Sequence, residues 1–180
     1  CLILLLTTVI WGCAFVAQSV GMDHIGPFTF QAVRCLLGVL ALLPVIFLFD
    51  LKKTDGKTYI SRWCDPNLWK AGILCGIALF VASGAQQVGL IDTDAGKAGF
   101  LTSMYIVIVP FLGLFFHKKL SPATVLGVLV AVAGLYLVSG AGATGMAPSD
   151  MLMVLCAFAF AVQIVLVERL GMDMDGLRLN

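Results

Sequence analysis

The sequence predicts an all-α, polytopic membrane helix bundle, and three observations carry that prediction. Hydrophobic residues make up 61% of the 180 and charged residues 12%, with a mean hydropathy of +1.05. A soluble domain averages about 45–50% apolar and about 25% charged. The apolar residues fall into six blocks, each close to the roughly 20 residues a helix needs to cross the hydrocarbon core. The charges lie in short runs between those blocks. A soluble helical core could account for one such block, but not for six in succession.

Taken in order, the first span covers residues 2–20, and Asp23-His24-Ile25-Gly26-Pro27 makes a tight turn. The second span covers 28–49. The loop from Asp50 to Trp69 is polar and basic, with Lys52, Lys53, Lys57 and Arg62. The third span covers 70–91 and ends in an acidic loop with Asp92 and Asp94. The fourth, 97–116, is bounded by Lys97 at one end and by His117, Lys118 and Lys119 at the other. Ala95, Ala98, Thr102 and Tyr105 recur along it at helical spacing as a small and polar stripe. Pro110 lies in its last third, where it kinks the helix or frees a carbonyl. Ser121 caps and Pro122 opens the fifth span, 122–140. A Gly/Ala-rich loop to Pro148 leads to Ser149 and Asp150, which cap the sixth span, 150–168. The tail from Arg169 to Asn180 is polar.

Lys and Arg set the orientation. Lys52, Lys53, Lys57, Arg62, Lys70, Lys118, Lys119, Arg169 and Arg178 fall on one side; Lys97 alone falls on the other, and Arg34 lies within a span. The loop 50–69 and the N-terminal side of the first span are therefore expected in the cytoplasm. Cys1 begins the chain inside an apolar block, so the first helix reads as truncated, with no basic flank for a signal peptide. The six cysteines show no C-x-x-C pair or ligand spacing, and the five that lie in or beside apolar blocks read as small hydrophobes.

The chemistry-bearing residues are sparse. No P-loop, metal-ligand cluster or catalytic triad is present, so no cofactor, metal or ATP-driven cycle is expected. A net charge of +1 gives no reason to expect nucleic acid. No carboxylate occupies a span core. Arg34 is the fully charged side chain inside a span, and it needs a partner or water. It shares a stripe with Gln31 and Gly38, and a structural or gating role is expected, tied to a loop carbonyl or to Asp23. Gln86, Gln87 and Gln163 must face protein or water, because an amide in hydrocarbon is costly; 100° per residue argues that Gln86 and Gln87 do not face inward equally. Gly72 and Gly76, and Gly127, Ala131 and Gly134, read as helix-packing faces. Trp63 and Trp69 read as interface anchors. Ile10 to Val16 and Ala159 to Val165 share an aromatic–small–large pattern at an offset of 149 residues. With five spans per unit, the second copy crosses in the opposite sense, a signature of secondary transporters.

The residues also resemble a family, the EamA-type transporters of the drug/metabolite transporter superfamily. The matching pieces are Trp11-Gly12 with Phe15; Pro27-Phe28-Thr29-Phe30 leading to Arg34; Gln87-Val88-Gly89-Leu90 through Ala95 and Ala98 into Phe100-Leu101-Thr102-Ser103 and Pro110; and Gly127, Ala131, Gly134, Leu135, Tyr136 and Leu137. The chain departs from the family where an acidic Gly-Glu-Arg-Leu-like turn follows the fourth helix; here it reads Lys118-Lys119-Leu120. The resemblance implies ten helices in two inverted five-helix repeats. Residues 1–140 would then form the first repeat and 149–180 the start of the second, a fragment of a ten-helix transporter. It implies a cell-membrane protein that exports a small organic metabolite or drug by alternating access, with a homodimer left open. The substrate path would run between the repeats, lined by Trp11, Phe15, Gln86, Gln87, Thr102, Tyr105 and Gln163. The alternative is a membrane-embedded scaffold or enzyme subunit; His24 and His117, expected on opposite sides, give the enzyme no cluster.

Overall fold

The computed structural model describes residues 2–22, 24–51, 59–116, 120–139, 147–172, 174 and 176–179, and all elements among them are helices. Asp23, Lys52, Lys53, Lys57, the basic run 117–119 and the loop 140–146 lie outside the described residues. Helix α1 is Leu2–Met22 and α2 is Pro27–Leu51. A short α3, Tyr59–Trp63, precedes α4, Pro66–Asp92. Asp65 caps α4 by accepting from the Asn67 N–H at 2.9 Å, and Pro66 occupies its first turn, so α4 starts four residues ahead of the expected span.

The expected fourth span is two helices, α5, Ala95–Ser103, and α6, Tyr105–Phe115. Asp94 caps α5 through the Gly96 N–H. The join is a tight turn in which the Met104 N–H reaches back to the Leu101 carbonyl at 3.2 Å. The break falls six residues before Pro110. At this point the Ser103 hydroxyl bonds the Gly99 carbonyl at 2.7 Å, a back-bond that bends helices. Helix α7 is Pro122–Ser139, capped as expected by Ser121, whose hydroxyl accepts from the Thr124 N–H. Helix α8 is Pro148–Gly171 and α9 is Gly176–Leu179.

Among the described residues, Leu2–Met22, Pro27–Leu51, Pro66–Asp92, Ala95–Phe115 and Pro148–Gly171 are long and apolar enough to cross a membrane. The described apolar run of α7, Pro122–Gly134, is shorter. This is a polytopic helix bundle of a membrane protein.

Helix α4 stands at its centre, with α8 running antiparallel along it. Two apolar clusters fix that sense. Leu68, Ala71 and Cys75 at the start of α4 pack with Leu166, Val167 and Leu170 at the end of α8, and Leu179 of α9 joins them. Leu90 at the end of α4 packs with Met153 at the start of α8, and with Ala98 and Leu101 of α5. The α5–α6 pair runs parallel to α8 and is tied to it at both ends. The Lys97 ammonium bonds Asp150 Oδ2 at 2.6 Å, and Arg169 donates to the Phe116 carbonyl at 3.2 Å while its guanidinium lies 4.3 Å over the Phe116 ring. Asp150 Oδ2 also accepts from the Ala147 N–H at 2.8 Å and so fixes the start of α8.

The glycine faces differ from expectation. A Cβ on Gly72, Gly76, Gly127 or Gly134 would meet nothing within 4 Å. The close approaches are Gly89, where a Cβ would sit 2.6 Å from Met153 Sδ and 3.3 Å from the Ser149 carbonyl, and Gly21, at 2.5 Å from the Phe30 ring. Gly76 points away because the stripe Leu68–Ala71–Cys75 takes the face of α4 that meets α8. The tail also differs: Arg178 is buried in an ion pair with Asp50, with Tyr59 and Trp63 beside its guanidinium. Trp69 is exposed and donates its indole N–H to the Trp63 carbonyl at 2.6 Å.

Candidate functional site

The first half of α4 buries a narrow stripe at helical spacing, but its last three turns bury Ala82, Ser83, Gly84, Gln86, Gln87, Gly89 and Leu90, on nearly every side. That happens because α1, α2, α5 and α8 all converge on this half. Four glutamines enter the interior here, Gln18 from α1, Gln31 from α2, and Gln86 and Gln87 from α4, together with the hydroxyls of Ser83 and Thr102.

Hydrogen bonds join them through Arg34. Its Nη1 donates to Gln18 Oε1 at 2.8 Å and its Nη2 to Gln31 Oε1 at 2.6 Å. Gln18 Oε1 also accepts from Gln87 Nε2 at 2.9 Å, and Gln18 Nε2 donates to the Ala14 carbonyl at 3.0 Å. Gln31 Nε2 donates to Ser83 Oγ at 2.9 Å, and that hydroxyl donates to the Leu79 carbonyl at 2.6 Å. Gln86 Nε2 makes a long contact, 3.4 Å, with Thr102 Oγ1 of α5. Three helices are thus pinned by one guanidinium and its amides. In hydrocarbon, where water does not compete, satisfied polar groups of this kind hold helices together.

Of the expected site residues, Gln86, Gln87 and Thr102 come together here, with Arg34 beside them. Gln86 and Gln87 are 1% and 0% exposed. Both face inward because α4 is central: one turns to α5, the other to α1. Arg34 is held by two amides in place of a loop carbonyl, and Asp23 lies outside the described residues. Phe15 packs against the Leu90–Ala98–Leu101–Met153 cluster next to the network. Trp11, one turn earlier, is 53% exposed and stands apart from it. Tyr105 and Gln163 are half-buried on α6 and α8. Pro110 lines a separate cavity of about 190 Å³ between α6, α7 and α8, with Gly113, Phe116, Thr124, Val165 and Arg169.

Gln18 was not foreseen. Its signal was its position three residues after Phe15, on the inward side of α1, in a helix that otherwise buries nothing among its described residues. Among the described residues no cluster of His, Cys, Asp and Glu could hold a metal ion. Cys13, Cys35, Cys64, Cys75 and Cys156 are free thiols.

The EamA-like transporter family matches residues 1–140. An uncharacterized transporter of Archaeoglobus fulgidus is 33% identical over 166 residues, which is 92% of this chain and 47% of the relative. The uncharacterized transporter YoaV of Bacillus subtilis is 24% identical over 156 residues, 86% of this chain and 51% of the relative. The chain spans about half the length of these curated relatives. No solved structure matches it.

Proposed function

The chain belongs to the EamA-like transporter family, and we propose that it carries the first half of a secondary transporter that exports a small organic solute by alternating access. Residues 1–140 act as one repeat, 149–180 open the inverted second one, and solute passes between them in the cell membrane. The loop 50–69 faces the cytoplasm, as the basic bias directs.

The observation that carries this reading is the amide and hydroxyl cluster of Gln18, Gln86, Gln87 and Thr102. It lies inside a bundle whose outer surface is hydrocarbon-like. Ligand sites are mostly apolar with a few placed polar groups, and this cluster beside Phe15 has that composition. Amides suit a neutral polar or zwitterionic solute better than a bare ion, which needs full charge compensation. Tyr105 and Gln163, half-buried on the helices flanking α5, extend the wall. Arg34 and Pro110 are structural or gating residues.

The test uses the full-length protein at matched abundance. Tyr105→Phe, Thr102→Val, Gln163→Leu and Gln87→Leu keep shape and remove polar groups. At least one is expected to lower export or reorder substrates. If all four transport every tested substrate like the parent, the polar residues are packing alone and the cavity assignment is wrong.

A further inference from the structure

The hydrogen bonds around Arg34 have a direction, and that direction has an end. A guanidinium donates and never accepts. Both neighbouring amides must therefore turn oxygen towards it, as Gln18 Oε1 and Gln31 Oε1 do. Their NH₂ groups must then face acceptors. Gln18 Nε2 takes the Ala14 carbonyl, which can only accept, and Gln31 Nε2 takes Ser83 Oγ. Ser83 donates its own O–H to the Leu79 carbonyl, so that branch closes on the backbone. On the other branch Gln18 Oε1 uses its second lone pair for Gln87 Nε2. Gln87 has no choice of orientation: its NH₂ faces Gln18 and its oxygen faces away. Gln87 Oε1 is fully buried and has no hydrogen-bond partner. A buried acceptor left unmade is costly, and native proteins leave few.

We infer that the solute offers an uncharged O–H or N–H donor to Gln87 Oε1, and that Gln18 is the positioning residue that presents this oxygen. The inference rests on the proposed cavity and narrows its substrate class. The donor is uncharged because Arg34 Nη1 and Gln87 Nε2 lie within 3 Å of the same Gln18 oxygen, so a cation at Gln87 meets the guanidinium field. A carbonyl or ether oxygen facing Gln87 Oε1 would set acceptor against acceptor. Sites built to hydrogen-bond one group discriminate strongly against the analogue lacking it.

The test needs no knowledge of the natural solute. The full-length protein in lipid nanodiscs is titrated with 2-pyrrolidone and with N-methyl-2-pyrrolidone, which differ by one N–H. Saturation-transfer NMR reads binding, and Gln87→Leu supplies the background for partition into lipid. The parent is expected to favour 2-pyrrolidone by about tenfold or more, and Gln87→Leu to bind both alike. Gln18→Glu keeps an acceptor for Arg34 and Gln87 and should keep the preference. Gln18→Leu lets the Gln87 amide turn and should lose it. Equal binding of both probes by the parent, weakened equally by Gln87→Leu, overturns the donor rule and leaves the cavity standing; a structural water on Gln87 gives this result. Binding by the parent no stronger than by Gln87→Leu overturns the donor rule and the cavity together. Gln18→Glu that loses the preference, or Gln18→Leu that keeps it, overturns the positioning role. Should Gln18→Leu fail to fold, the probe pair on the parent and on Gln18→Glu still decides.

Discussion

Helices α2 and α8 are similarly apolar and of similar length, yet 39% of the α8 span is buried against 6% of the α2 span. Helices α4 and α1 repeat the contrast with the same two figures. In water such a difference would be read from hydrophobicity. In lipid it cannot be, because the surrounding chains are as apolar as leucine. What separates the helices is side-chain size and polarity. The buried residues of α8 include Cys156, Ala157 and Ala161, and those of α4 include Ala71, Cys75, Ala82, Gly84 and Gly89. Among their described residues α1 buries Gln18, and α2 buries Gln31 and Ile46. The outer helices turn leucines to the surroundings and attach through their amides. The inner pair touches through small residues.

The strongest way to break the comparison is to enlarge one small residue on the inner pair. Gly89→Val would push into Met153 and the Ser149 carbonyl, with an expected loss of about 1–3 kcal/mol from overpacking. Gly76→Val has open space and should change stability by no more than about 0.5 kcal/mol. Thermal unfolding of the purified protein checks both; equal effects would mean that α4 and α8 are not the load-carrying pair.

The outer pair is broken through its polar attachments. Gln18→Leu leaves Arg34 Nη1 and Gln87 Nε2 without their shared acceptor, at an expected cost of about 1–3 kcal/mol. Leu5→Ala on the exposed side of α1 should cost less than about 0.5 kcal/mol. If Leu5→Ala destabilises more than Gln18→Leu in the same unfolding assay, attachment by amides is refuted.

A smaller effect is expected at the rim. Lys97→Ala removes a half-exposed partner from Asp150 and should cost about 1 kcal/mol or less, shrinking in high salt. Asp150→Ala also strips the Ala147 N–H of its acceptor, so it should cost more than Lys97→Ala in the same unfolding assay.

The smallest perturbation sharpens the comparison by assigning sides. A single cysteine at the exposed Ile60, in an otherwise cysteine-free protein, should leave stability unchanged and resist an impermeant thiol reagent applied to intact cells. Labelling from outside would invert the orientation of every helix.

The helix-bundle class was legible because length and apolarity are one-dimensional properties, and Ser121-Pro122 was readable as a cap. The helix bounds were less so, since α4 begins four residues early and the described apolar run of α7 is shorter than a membrane span. The break at Met104 was not legible, since Pro110 was the more obvious breaker, and the Ser103 back-bond beside the break has counterparts at Thr7 and Ser83 inside unbroken helices. Which glycines are approached within this chain was not legible, because a small residue signals close approach only where a neighbour arrives, as Met153 does at Gly89 and no described residue does at Gly76. Gln86 and Gln87 were read as competing for one interior; a central helix has interior on several sides. Gln18 and Arg178 gained their roles from partners 69 and 128 residues away, which no local pattern encodes.

The two ties between α5–α6 and α8 have one more consequence. Each joins residues fifty-three apart in sequence. From Lys97 to Phe116 and from Asp150 to Arg169, both rods therefore advance nineteen positions, roughly 28 Å of helix, against about 30 Å of bilayer hydrocarbon. The pair is a ruler cut to membrane thickness, with a cation at each mark. A thicker bilayer would draw Lys97 and Arg169 into oil or force the ruler upright; a thinner one would tilt it. Unfolding temperature across a series of acyl-chain lengths should pass through a maximum where membrane and ruler agree, and a flat series would show that the ties measure nothing.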